Sequence, residues 1–303
     1  MPNYQGVWSL STQYQNDANW PKYVAPMGLF ADGGNLNQID LTSTGNAVDY
    51  GSLTKNYNSS ACSSTRMVIG RSSMGYVEFA TGGAQATFGS FSDAISEQCG
   101  LSNETRGIFS GGNRISSSYD SSNAISYITI ATLGDVSTFG TLTSQSRGGG
   151  GFSNGTRGVM SIGFTLSSQV NTINYVTIGT TGNASDFGDM TQGRTYAGGC
   201  GNSTRGLWGG GGISSTSNVI DYVTIATTGN ATDFGNLTQA RREGPSACSS
   251  SIRAVWAGGY VSAPVNTIDY VTIASTGNAT DWGDLLAAAN APTGGSNAHG
   301  GVA

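Results

Sequence analysis

Short runs with the alternation of extended chain recur along this sequence, and one stretch shows a full set. In "NVIDYVTIAT" (218–227), Val219, Asp221, Val223 and Ile225 fall on one side of a strand and Ile220, Tyr222 and Thr224 on the other. The run is rich in β-branched and aromatic residues, as strands are. Before it stand a small polar segment, "GGCGNS" (198–203), and an apolar one halted by glycine, "RGLWGGG" (205–211). After it come "TTGNAT", a Gly-Asn signal for a hairpin turn, and a fourth segment, "DFGNLT" (233–238). No run holds a helical period, and only "GDLLAAANA" (283–291) is locally helix-prone.

The set repeats. An aromatic–Gly pair occurs at Tyr50-Gly51, Phe88-Gly89, Phe139-Gly140, Phe187-Gly188, Phe234-Gly235 and Trp282-Gly283. A second anchor, an apolar run usually closed by Gly-Gly, keeps step with it. It begins at Met27, Arg66, Arg106, Arg157, Arg205 and Arg253. Two anchors in register define six units.

Four short strands per unit at this period predict propeller blades. A lone four-stranded sheet cannot bury both faces, whereas blades stacked round an axis cover one another. Gly-Gly after the second strand then allows close approach and positive φ. The fourth-strand aromatics Phe139, Phe187, Phe234 and Trp282 fill the wedge between blades. The tail "GGSNAHGGVA" aligns with "GLSNETRGIF", placing His299 at the position of Arg106, and supplies a strand that the first unit lacks. The expected architecture is all-β: a six-bladed propeller of four-stranded antiparallel blades over residues 27–303, closed by a strand near 293–303. Residues 1–26 form a non-repeat extension. A seventh blade built from that extension is the alternative count.

Composition narrows the chemistry. Gly supplies 47 of 303 residues without a collagen period, and charged residues are 10%. Net charge is −5 and the thirteen Lys and Arg are scattered, against a nucleic-acid surface. No run of 18 apolar residues predicts a membrane span, and the opening has no signal-peptide pattern. Cys62, Cys99, Cys200 and Cys248 lack metal or redox spacing and read as buried thiols.

The one histidine, His299, leaves no Ser-His-Asp, Cys-His or multi-His metal constellation, and reads as a surface or rim residue. Asp49, Asp186, Asp233 and Asp281 precede the fourth-strand aromatic, where other units carry Thr87 and Thr138. Asp221 and Asp269 alternate with Asn174 and Ser126. An Asp/Thr or Asp/Asn/Ser choice at a repeated position reads as turn capping rather than as a glycosidase pair. No enzyme, cofactor or metal is expected.

Segment order, the Gly-Gly after the second strand, and a Tyr followed about twelve residues on by an aromatic resemble kelch repeats, from Met27 to the end. The wording "IDYVTIATTGNATDFGNLT" with "RGLWGGG" is similar to kelch-like repeats of structural proteins from tailed bacteriophages, especially those of cyanobacterial and marine hosts. The opening (Gly6, Val7, Trp8, Leu10, Gln13, Tyr14, Trp20, Pro21) is similar to a segment of phage tail proteins. The resemblance implies a virion component: a tail fibre, a baseplate or neck appendage, or a capsid decoration. It would be made in the host cytoplasm, in contact with other virion proteins and with host glycan. The alternatives are a free carbohydrate-binding module and, less favoured, a polysaccharide-cleaving enzyme.

Recognition is expected where units differ. The connection 111–126 carries Arg114, Tyr119 and Asp120, and matching connections carry Phe164 and Tyr260. Trp8, Tyr14, Trp20 and Pro21 either pack under the propeller or form a docking arm. The repeated Arg66, Arg106, Arg157, Arg205 and Arg253 either bind carbonyls of a neighbouring loop or ring one mouth of the channel for an anion.

Overall fold

The computed structural model describes residues 25–53, 59–115, 120–212, 215–244 and 246–302. The candidates Trp8, Tyr14, Trp20, Pro21 and Tyr119 lie outside them. Six antiparallel sheets stand round one axis. From the axis outward, blade two is Ser59–Cys62, Arg66–Gly70, Ser73–Glu78 and Ala86–Ser90. Blade three is Cys99–Ser102, Arg106–Ser110, Asp120–Thr129 and Ser137–Ser146. Blade four is Gly151–Ser153, Arg157–Ser161, Thr172–Thr177 and Ser185–Asp189. Blade five is Gly198–Gly201, Arg205–Gly209, Ser217–Thr224 and Thr232–Arg241. Blade six is Ser246–Ser249, Arg253–Ala257, Val265–Thr272 and Thr280–Ala289.

Blade one takes Met27–Asp32, Asn35–Asp40 and Val48–Ser52, and its innermost strand is Thr293–Ser296 from the far end of the sequence. Leu29 pairs with Gly295 and Phe30 with Gly294. The ring therefore closes by the tail strand, as the alignment predicted. The stretch 283–291 is not helical: it continues the outer strand Thr280–Ala289. Pairing with Val265–Thr272 overrides its local propensity.

The core lies between blades. Second strands alternate sides, so Leu207 faces blade six and Trp208 faces blade four. Both are fully buried. Large rings on one blade meet glycines on the next. A Cβ on Gly209 would stand 2.7 Å from the Trp256 ring, and one on Gly206 only 1.8 Å from Phe152. The third-strand Tyr and fourth-strand aromatic of a blade pack edge to face, as in Tyr175–Phe187 at 5.9 Å and Tyr270–Trp282 at 5.1 Å. Such a pair contributes about 1 kcal/mol beyond its burial.

The Thr-Gly-Asn-Ala phrase is not the tight hairpin turn its Gly-Asn suggests. It sits in a loop of residues 225–231 that lies along the outer strand of the preceding blade. Gly229 N–H donates to Phe187 O at 2.7 Å, Ala231 N–H to Asp189 O at 2.8 Å, and Asp189 N–H to Asn230 Oδ1 at 3.1 Å. The pattern holds at every boundary, with Gly45 on Trp282, Gly83 on Tyr50, Gly134 on Phe88, Gly182 on Phe139 and Gly277 on Phe234. The glycine of the aromatic–Gly pair is the seat of this clasp. A Cβ on Gly188 would meet Gly229 O at 2.4 Å, and φ there is 145°.

The arginines before the second strand hold the start of the same loop. Arg157 donates to Ile225 O and Ala226 O at 2.9 Å, and Arg205 to Ile273 O at 3.0 Å and Ala274 O at 2.9 Å. Arg66, Arg106 and Arg253 reach Ile130 O, Ile178 O and Leu41 O. Each guanidinium also lies over its own blade's tyrosine, 4.5 Å from the ring centre for Arg157 on Tyr175.

Gly188→Ala is expected to destabilise the ring by roughly 2–3 kcal/mol in urea unfolding, because the added methyl meets backbone that cannot yield. Gly179→Ala is the control. Nothing lies within 4 Å of its Cβ position and the sibling units carry Ala131, Ala226 and Ala274 there, so no loss is expected.

Candidate functional site

The innermost strands enclose a narrow channel, and its two mouths differ. At one mouth the last residues of these strands tie neighbouring blades together. Ser102 Oγ donates to Cys62 O at 2.7 Å and accepts from Cys62 N–H at 2.8 Å. Ser249 Oγ does the same with Gly201, Ser296 Oγ donates to Ser249 O, and Ser153 Oγ to Ser102 O. Cys62 takes the serine's place opposite Ser296, whose backbone N–H faces its sulfur. Gly201 has no hydroxyl to offer blade four, and there the tail enters: Gly300 N–H donates to Gly201 O at 3.0 Å.

His299 seats this plug. The alignment put it at the position of Arg106, but Ser296 is the counterpart of Ser102, so His299 matches Thr105 and Gly300 matches Arg106. It is not a rim residue. It lines the axial cavity of about 60 Å³ with Cys62, Cys200 and Cys248. Gly301 N–H donates to Nδ1 at 3.0 Å, so Nε2 carries the proton and donates to Cys62 O at 3.0 Å. The four thiols are free and buried, and burial pushes Cys62 and Cys99 up to about 12. They are packing groups rather than nucleophiles. Among the described residues no three His, Cys, Asp or Glu side chains come together to hold a metal ion.

The other mouth is open and carries the variable loops. A recess of about 150 Å³ is lined by Glu97, Gln98, Tyr196, Ser246, Ser59 and glycine backbone at 148–151 and 198–199. Five of the connections from one blade's outer strand to the next blade's inner strand lie among the described residues, and each turns through left-handed φ: at Glu97 (59°), Gly148 (60°), Tyr196 (58°), Glu243 and Gly244 (53° and 66°), and Ala291 (52°). Arg147 lies 4.0 Å from Glu97 and over the Phe164 ring at 4.5 Å. Arg242 lies 3.7 Å from Glu243 and over the Tyr260 ring at 4.7 Å. Phe164 and Tyr260 thus stand at this mouth as arginine-covered, half-buried rings. Arg114 and Asp120 face each other across a short two-stranded extension, Asn113–Arg114 against the start of Asp120–Thr129. The connection 111–126 is therefore partly strand. Glu97 and Tyr196 could not be placed here from sequence, since a left-handed non-glycine residue carries no signal of its conformation.

Asp221 and Asp269 are not turn caps. Both are fully buried and paired with buried arginines of the preceding blade. Arg194 donates to Asp221 at 2.6 Å and to the carbonyls of Gly210 and Val219. Arg241 donates to Asp269 and to Gly258 O and Thr267 O. Burial pushes the Asp269 carboxyl up and the Arg241 guanidinium pulls it back. These pairs brace the Gly-Gly turns beneath the open mouth. The signal for them was present: Arg194 and Arg241 precede only the two Asp-bearing blades, whereas Asn174 and Asn37 follow Ser146 and Ala289. Asp49 does act locally, accepting from Gly51 N–H at 3.2 Å.

Fold and channel together define a six-bladed β-propeller with one plugged and one open mouth. Set against known proteins, the chain matches no family model and no curated protein.

Asp269→Ala is expected to cost about 3–5 kcal/mol in denaturant unfolding, since it strands a buried guanidinium. Adding Arg241→Ala to Asp269→Asn reproduces the Ala289/Asn37 boundary and is expected to stay well above the single variant. Acid is expected to loosen the plug. Burial holds His299 below its ordinary 6.5, so the unfolded chain takes the proton first. The stability it contributes is complete above about pH 6.5 and is lost as pH falls toward the folded-state value. Thermal melts should show this acid loss reduced in His299→Gln.

Proposed function

We propose that this propeller is a non-enzymatic structural or adhesion protein of a tailed-phage virion: a tail fibre, a baseplate or neck appendage, or a capsid decoration. In this reading it is a kelch-like module docked to other virion proteins through residues 1–26, with its open face toward host glycan. The observation that carries the reading is the division of the molecule. Clasps bind every blade to its neighbour in the same way, while the residues that depart from the repeat gather round one mouth. A ring tied at each boundary suits a scaffold that must persist outside a cell. Loops held on such a frame suit contact with a partner. The wording shared with phage repeats supplies the virion context.

A free carbohydrate-binding module is the second reading, favoured by the recess at the open mouth. Particle composition separates the two. Purified virions of the source phage are expected to contain the chain at fixed stoichiometry by quantitative mass spectrometry, and its absence would overturn the virion reading. Deleting residues 1–26 is expected to abolish incorporation into particles; incorporation unchanged by the deletion sinks the docking role.

A further inference from the structure

We propose that the open mouth of the channel binds a single neutral pyranose unit of a glycan. The proposal rests on the display reading above and gives it a site and a ligand class. The recess, about 150 Å³, has the size of one sugar ring. Gln98 Oε1 and Ser246 Oγ are buried without a hydrogen-bond partner, in residues that line the recess, and Glu97 beside them is ion-paired with Arg147. Gln98 and Ser246 are each only 6% exposed. A buried polar atom left unpaired is costly, so two on the lining of one cavity call for an occupant.

The backbone there points the same way. At the equivalent mouth position of the five described connections the chain uses glycine twice, at Gly148 and Gly244. At the other three it holds Glu97, Tyr196 and Ala291 in the left-handed region. A non-glycine residue is disfavoured in that conformation. The tolerated strain puts the Glu97 carboxylate and the Tyr196 phenol on the lining of the recess, and glycine would give neither.

The chemistry selects the ligand. Gln98 Oε1 can only accept and Ser246 is a hydroxyl, so the occupant must donate hydrogen bonds, as sugar hydroxyls do. The Tyr196 ring offers an apolar face beside them. Glu97 repels a uronate or sialate, and the nearby Arg147 lies over the Phe164 ring with that carboxylate beside it. A neutral pyranose fits this balance.

Saturation-transfer NMR on the full chain tests it, with galactose, glucose, N-acetylglucosamine and glucuronate as probes. At least one neutral sugar is expected to receive saturation, and glucuronate much less. Gln98→Leu removes the acceptor at similar size. Tyr196→Gly removes the ring while keeping the left-handed turn, and a cooperative thermal melt checks that the variant is folded. Each is expected to weaken binding roughly tenfold. No transfer to any neutral sugar, as from a recess filled by water alone, overturns the proposal. So does equal binding by glucuronate, or by both variants when folded. Virion content of the Gln98→Leu chain keeps the two readings apart. If it still enters particles and the parent binds no sugar, this proposal falls and the virion reading stands. If sugar binds but the chain is absent from particles, the reverse holds.

Discussion

Every other feature of this ring depends on one contact: peptide groups of a Thr-Gly-Asn-Ala loop laid along the outer strand of the preceding blade. An outer strand exposes unpaired N–H and C=O groups, a liability that proteins cover, charge or shorten. Here the next blade covers them. The clasp satisfies two carbonyls of the outer strand and one of its amides, as Phe187, Asp189 and Asn230 show. It requires a bare backbone beneath it, hence Gly188 and its five siblings. It requires the loop's start to be held, hence the arginines that stack on tyrosine. At the axis, serine hydroxyls tie the inner strands in the same sense. Each blade is thus fastened at both its inner and outer edge, and none has a folded state apart from its neighbours.

What could be read from residues alone was what repeats. Period-two alternation, aromatic–Gly and Gly-Gly recur often enough to define blades, and the tail's likeness to "GLSN" was enough to place a closing strand. Where one residue type serves two ends, sequence reading failed. Asp is at home in a turn and in a buried ion pair, and only Arg194 and Arg241, about 27 residues upstream, separate the cases for Asp221 and Asp269. Gly-Asn marks a tight hairpin and also an extended clasp, whose partner lies on another blade. The alanines at 287–289 favour helix in isolation and became strand because Val265–Thr272 offers a ladder. His299 went astray by one position because the tail lacks the arginine that anchors other units. The open mouth was hardest, since Glu97 and Tyr196 matter there through a backbone conformation that no side chain advertises.

The buried Arg–Asp pairs and the left-handed residues belong together physically. A left-handed glutamate or tyrosine persists only if the chain on either side is held. Arg194 and Arg241 stand two residues before Tyr196 and Glu243 and grip the adjoining Gly-Gly turns. Two of the sharp mouth connections are thus braced by ion pairs, whereas before Gly148 the Ser146 hydroxyl donates to Ile162 O, and before Ala291 the Ala289 carbonyl accepts from Gly259 N–H.

The closing strand gives the ring an order of assembly. Met27 N–H is bonded to Asn297 Oδ1 across 270 residues of chain. Neighbouring blades need contacts spanning only about one unit, so they can zip together in sequence. The last pairing brings together ends separated by all the rest, and the entropy of closing so long a loop grows only slowly with its length. Contacts this non-local are the kind that slow folding. Without the tail strand blade one has three strands, and the faces of blades two and six that border it lack part of their cover. In the intact ring, opening at any point means breaking a blade boundary that is held by its neighbours.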